Sequence, residues 1–463
     1  MRGNLEENIK VLTNRRLESG QALILMVLSF VGLLAFSALA IDGGRIFADR
    51  RYAHNRADAA SLAGAGAAAG YLKKIQDDPS ADSTGTTGSD WNCDSPAVLT
   101  AKGVAEDQAV VNLNQNKIDD PSTYSVEAHC DPANYIDVTV ILTFDSQTSF
   151  MHFVYGGIAQ NTVEAVTRVI PRAPAAAGFA IATLDEICSS QEKGIWFAGT
   201  GNTKLYVTIN GGGIFSNSCI NTSGQVEEPR VDIINGSASY YEDFNYTGGE
   251  TIQPIPQDVD FRIDPYIPPP SCVGDLNPSD PSDPLEDGKR VYRPGTYTNS
   301  ISATGEPVVL KPGLYCFDDG ADFSVTGPEL TGNGVTFYFK KNAGSFTTEG
   351  NGTVKLSAPL EPCDDSEPGY LNSDCYPAVP NLLIYFDKGN SNTIKIGGNS
   401  DSSYTGTIYA RESHVMIGGT SENLSVSVQV IANSVKVHGS ASINMTYDDS
   451  LIWHSPNMIN LEK

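Results

Sequence analysis

The sequence predicts a membrane-anchored chain in which a small α+β domain is followed by a large, mainly β region, built as a right-handed parallel β-solenoid. Three observations carry this. Residues 22–41, ALILMVLSFVGLLAFSALAI, form 20 positions without a charge. After residue 178 helical periodicity gives way to short apolar strands that recur at regular spacing. All eight cysteines follow the apolar run, and none has a CxxC or Cys/His spacing that would suit zinc, so disulfides in an oxidising compartment are expected.

As a helix rising ~1.5 Å per residue, the apolar run reaches about 30 Å, the hydrocarbon thickness of a bilayer. It exceeds the roughly 7–15 residues of a signal-peptide core, and no Ala-x-Ala site follows, so an anchor is expected over residues 21–41. Arg2, Lys10, Arg15 and Arg16 before it balance Arg45, Arg50, Arg51 and Arg56 after it, and the positive-inside rule gives no orientation. The cysteines do. Oxidised sulfurs belong outside, which makes residues 1–20 a cytoplasmic arm and the rest of this single-pass chain extracytoplasmic. A net charge of -25 over 463 residues excludes a nucleic-acid partner, because a phosphate-binding surface needs clustered Lys and Arg.

Residues 42–170 read as the membrane-proximal α+β domain. Asp42/Arg45 and Arg45/Asp49 lie three and four apart, where helix side chains meet. Small side chains in ADAASLAGAGAAAG, residues 57–70, allow another helix to come close. Residues 71–92 are polar and loop-like, and 96–117 have helical spacing. Alternation over 124–129 and 135–144 about Asp131-Pro132-Ala133-Asn134 is a hairpin signature. The aromatic segment 148–157 and a Val-rich strand over 162–170 complete the unit, and PRAPAAAG, 171–178, reads as an unpacked linker.

Gly20-Gln21-Ala22, the apolar run, Ile41-Asp42-Gly43-Gly44-Arg45 and Ala57-Asp58-Ala59-Ala60 together resemble the N-terminal segment of TadE/TadG-like proteins of the Flp (tight adherence) pilus assembly system. The strand order to residue 170 continues the likeness. The resemblance implies a membrane partner and other pilus or secretion-assembly proteins. It also marks Gly20 and Gln21 as a prepilin-type processing site, although Leu25 stands where such peptidases prefer Glu, and an uncleaved tether is expected.

Within 179–455, Ile394, Val415 and Val435 are 21 and 20 residues apart, and Ile408 and Val428 are 20 apart. Two interleaved series of this period suit stacked coils; a β-sandwich is the alternative. Arg293-Pro-Gly-Thr-Tyr297 and Lys311-Pro-Gly-Leu-Tyr315 repeat one turn chemistry 18 residues apart. Residues 251–288, rich in Pro and Asp, read as an insertion or covering loop. There Asp275, Asp280, Asp283, Glu286 and Asp287 supply oxygens for Ca²⁺, but no EF-hand spacing, and a solvated loop is favoured. Nearest-neighbour pairing gives Cys93 with Cys130, Cys188 with Cys219, Cys272 with Cys316, and Cys363 with Cys375, one of 105 connectivities. Residues 456–463 are read as a tail.

No catalytic, cofactor-binding or metal motif occurs. His414, His438 and His454 are scattered, and Asp448-Asp449 would face opposite sides of a strand. A structural, non-enzymatic cell-envelope role in pilus assembly or adhesion is therefore expected, with a surface ligand or glycan for the β region. The alternatives are a membrane-anchored polysaccharide-active β-helix enzyme and a surface adhesin unrelated to pili.

Overall fold

The apolar run is part of one unbroken helix, α1 (Gly3–Gln76), so the apolar run and the small-residue tract share one rod. The computed structural model describes residues 3–76, 86, 91–118, 123–150, 159–188, 193–199, 205–223, 229–240, 243–245, 262–272, 285–348, 350–360, 378–419, 424–439 and 442–462. The helix is long and apolar enough to cross a membrane, and its most apolar window has no buried share. The chain divides into two units, Met1–Arg172 with Asn457–Lys463, and Ala173–Pro456.

In the first unit α1 is followed by α2 (Pro96–Gln115), whose cap residue Ser95 accepts the Val98 N–H, with Pro96 at the first turn, where its missing N–H costs nothing. Strands β1 (Tyr124–Asp131), β2 (Tyr135–Ser146) and β3 (Ala159–Ile170) form an antiparallel meander. A fourth strand comes from the far end of the chain: Met458–Leu461 pairs antiparallel with β3. The expected tail is thus an edge strand. Its register is fixed by the Glu462 N–H on the Val166 carbonyl, and upstream by Asn457, whose amide donates to the Ala69 carbonyl. In chain order, the whole second unit is an insertion between two neighbouring strands of this sheet.

The core of this unit follows from period-2 alternation. Ile136, Val138, Val140 and Leu142 of β2 face the helices and are buried, while Asp137 on the other face grips Arg168 of β3, its directly paired neighbour, by two bonds of 2.8 and 2.9 Å. The tract at 57–70 packs within its own unit. Ala57, Ala60, Ala65, Ala68 and Ala69 are buried against α2 and the sheet. Gly64 shows why small residues are required: a Cβ there would lie 2.6 Å from the Ala105 carbonyl and 3.1 Å from a Val138 methyl.

The second unit is dominated by a large sheet of 21 strands among the described residues, and its registered pairings are parallel. Parallel pairing rules out the antiparallel sandwich. Between residues 290 and 357 each strand pairs with the third strand after it, giving three stacks that all run on into Ser403–Gly419. The first runs Arg290–Tyr292, Val308–Leu310, Glu329–Asn333, Thr353–Ser357 and on to the start of Ser403–Gly419. The second runs Gly295–Tyr297, Gly313–Phe317, Val335–Phe339 and Leu382–Phe386. The third runs Ile301–Ala303, Phe323–Val325, Phe346–Thr347 and Ile394–Ile396. Leu424–Gly439 continues all three, and the strands at 181–240 stack on its far side.

Identical positions fall on top of one another, and this builds the core. Phe317, Phe339 and Phe386 stack with ring centroids 4.5 Å apart, and Phe323 lies on Phe346 at 5.0 Å. Ile394, Val415 and Val435 occupy one ladder, matching their spacing. Ile408 pairs with Val430 instead of Val428, because residues 411–413 form a corner two residues longer than the single Asn433 of the paired strand. At other corners Asn side chains bridge stacked segments: Asn399 donates to Thr353 Oγ1, and Asn390 and Asn392 donate to the Ala343 carbonyl.

Residues 171–178 are packed, unlike the expected linker. Ala173–Pro174 pairs with His454–Ser455, and Ala175 and Ala176 are buried beside Trp453. The compact turn needs left-handed backbone at Ala176 and Ala177, which small side chains tolerate best.

Within the Pro/Asp-rich stretch, residues 262–272 cover the outer row of the second stack. Asn217 clasps Ile263 through both its N–H and its carbonyl; Tyr409 and Tyr385 donate their hydroxyls to the carbonyls of Pro265 and Ile267, each at 3.0 Å; and Cys272 is bonded to Cys316. This strap crosses the stacked strands in turn and buries the aromatic faces of Tyr385 and Tyr409, which stack at 5.1 Å. Burial raises the pKa of both phenols, so they remain hydrogen-bond donors at any ordinary pH.

Candidate functional site

Asp42 is the first charged residue after the apolar run, and it is only 1% exposed. A lone carboxylate in such a place would be costly; both oxygens are instead engaged. They accept the backbone N–H groups of Ser149 at 2.7 Å and Phe150 at 2.8 Å, in the turn after β2. The sheet is thereby locked to α1 at the level where the apolar run ends. Phe47 on α1 and Phe150 in the turn are exposed, at 70% and 47%. Farther along, Ser61 Oγ meets Thr167 Oγ1 of β3 at 2.7 Å, a buried polar contact that fixes the helix against the sheet.

Beyond Asp42, α1, the end of α2 and the end of β2 enclose a cleft of about 580 Å³. Arg45, Asp49, Tyr52 and Arg56 line it from α1, Lys117 and Ile118 from the α2 end, and Leu142, Phe144 and Asp145 from β2. Arg56 lies over the Tyr52 ring at 3.9 Å and donates to its hydroxyl at 2.8 Å.

Gly20 and Gln21 lie inside α1. Cys93 is bonded to Cys130, Cys188 to Cys219 and Cys272 to Cys316, while Cys363 and Cys375 lie outside the described residues. So do Asp275, Asp280 and Asp283 of the candidate Ca²⁺ loop and residues 151–158 of the aromatic segment. Glu286 pairs with Arg293 at 2.6 Å, and Asp287 sits in the turn between Glu286 and Lys289. Among the described residues no three His, Cys, Asp or Glu side chains are grouped to hold a metal ion.

The three histidines of the β region have structural partners. His414 Nδ1 meets Ser434 Oγ at 2.8 Å, the His438 ring covers Gly418, and His454 bridges the Ile452 carbonyl and Asp449. Asp448 caps the short turn at Ser450. The tyrosines of the two Pro-Gly repeats do share one chemistry, since Tyr297 and Tyr315 each donate to the carbonyl of the basic residue four positions back, Arg293 and Lys311. Sequence reasoning did not single out Asp42 as a buried lock or Asn217, Tyr385 and Tyr409 as strap holders. Asp42 had a signal in its position directly after the apolar run; the strap holders had none, because their partners are backbone carbonyls more than a hundred residues away for both tyrosines.

Residues 296–454 match a family model described as a domain of unknown function. No curated protein and no solved structure matches the chain. Residues 20–68 match the model "Putative Flp pilus-assembly TadE/G-like", a segment that contains the apolar run, the Asp42 lock and the start of the packed small-residue tract. The N-terminal segment is thus TadE/G-like, and together with the candidate membrane helix it fits a membrane-anchored, pilus-related protein.

Proposed function

We propose that the chain is a bitopic cell-envelope protein whose span and membrane-proximal unit join a pilus or secretion assembly, with its N-terminus in the cytoplasm. The second unit then projects outside as a right-handed parallel β-solenoid, a structural or adhesive module with no catalytic role. The observation that carries this reading is the coincidence of the TadE/G-like match with the apolar run and the Asp42 lock on one helix. Pairing of each strand over residues 290–357 with the third after it supports the solenoid, and three disulfides support an oxidising exterior. The structural partners of His414, Asp448 and His454 support a scaffold role over a polysaccharide-active site.

Site-specific photo-cross-linking from positions 44, 48 and 55 of α1 in native membranes tests it. Adducts with other envelope-assembly proteins are expected. Recovery of the chain as soluble, uncross-linked protein would overturn the reading.

A further inference from the structure

The turn after β2 carries Phe150, an exposed aromatic. Exposure alone says little, because single apolar side chains are ordinary on a protein surface. Height sets this one apart. Asp42 is one residue past Ile41, the last of the apolar run, so its backbone stands ~1.5 Å beyond the apolar boundary. Helix side chains lean toward the helix N-terminus, here toward the bilayer, and the Asp42 carboxylate holds the Phe150 N–H at 2.8 Å. Phe150 is therefore pinned at the edge of the hydrocarbon, where the headgroup layer is roughly 5–8 Å deep.

No spacer separates the apolar run from the folded unit. The first residue past the run is already 1% exposed and bound to the turn. A carboxylate facing lipid at this level would be costly, and the turn that satisfies it has to sit at the same level. Leu39, three positions before Asp42, shares its face of α1 and is exposed, so apolar surface continues from the run up to the turn.

We propose that the turn at Ser149 and Phe150 docks on the lipid interface of the leaflet that α1 leaves, with the Phe150 ring at the boundary between headgroups and acyl chains. The first unit then rests on the membrane instead of standing off it on a free stalk. The ligand is the lipid surface itself, bound by burial of apolar area and not by the charge of a headgroup. Asp42 acts as the positioning residue, since its two hydrogen bonds set the depth of the turn.

This inference rests on the anchor reading, and the test separates the two. A photoreactive diazirine analogue of phenylalanine is placed singly at Phe36, Leu99 or Phe150 of the full-length chain in dioleoyl-phosphatidylcholine nanodiscs, and adducts are read by mass spectrometry of the labelled peptides. Phe36 lies inside the apolar run and is exposed. Leu99 on α2 is exposed too, but it lies six positions before Ala105, which packs on Gly64; at ~1.5 Å per residue Gly64 stands about 35 Å along α1 from Ile41. Lipid adducts are expected at 36 and 150 and not at 99. Adducts at 36 without any at 150, or only protein adducts at 150, would overturn this inference and leave the anchor standing. Loss of lipid adducts at 36 would overturn both, and equal labelling at 99 and 150 would overturn the docking.

Discussion

The Asp42 carboxylate accepts the Ser149 backbone N–H at 2.7 Å across 107 positions of sequence, tying the turn after β2 to the point where α1 leaves its apolar run. An asparagine could satisfy only one of the two N–H groups that Asp42 holds and would carry no charge. Asp42→Asn is therefore expected to destabilise the first unit by about 2–3 kcal/mol. Hydrogen exchange at Ser149 and Phe150 in the detergent-solubilised chain would report it as accelerated opening there; unchanged protection would contradict the lock.

Two glycines of α1 provide an opposed pair. Gly64→Ala places a methyl 2.6 Å from the Ala105 carbonyl, and overpacking of about 1–3 kcal/mol outweighs the gain in helix propensity. Gly66→Ala meets nothing within 4 Å and should stabilise by up to ~1 kcal/mol. Thermal unfolding of both variants should move in opposite directions.

How much of this was legible in the sequence depended on the range of the interaction. The apolar helix, α2 and the β1–β2 hairpin follow from local composition, periodicity and turn residues, as does the ladder of Ile394, Val415 and Val435. Met458–Leu461 could not be read, because four residues at the chain end become a strand only when β3 offers an edge. The Ile408 register was missed for a related reason: a two-residue corner insertion is invisible until the partner strand is known. The cleft draws Arg45, Lys117 and Asp145 from three elements, and no spacing rule joins them.

The Cys272–Cys316 bond anchors the strap and closes 44 positions of chain. Loop-closure entropy assigns such a link about 4 kcal/mol, of which engineered removal often shows less. Cys272→Ser with Cys316→Ser should lower the unfolding free energy by roughly 2–4 kcal/mol and open residues 262–272 to limited proteolysis. Tyr385→Phe, which removes only the bond to the Ile267 carbonyl, should cost about 1 kcal/mol in the same denaturation assay.

Asp185 is buried, and desolvation raises its pKa above the ordinary 3.8 despite hydrogen bonds from the Gly194 N–H and Ser218 hydroxyl. Its folded value exceeds its unfolded value, so the stability linked to its protonation is full below 3.8 and is lost as pH rises through the raised value. Asp185→Asn does not titrate. The difference in unfolding free energy, wild type minus variant, should therefore fall as pH rises from about 4 and then level off. Urea denaturation across pH checks it, and a difference independent of pH would contradict the assignment.

On the proposed topology, α1 anchors the chain and leaves the second unit outside. Protease added to intact cells and to lysed cells, with fragments followed by antibodies to residues 173–456 and to the N-terminal arm, tests it most directly. The second unit should be degraded in intact cells while a fragment holding the arm and span stays with the membrane. Protection of residues 173–456 until lysis, or release of the whole chain into the soluble fraction, would contradict it.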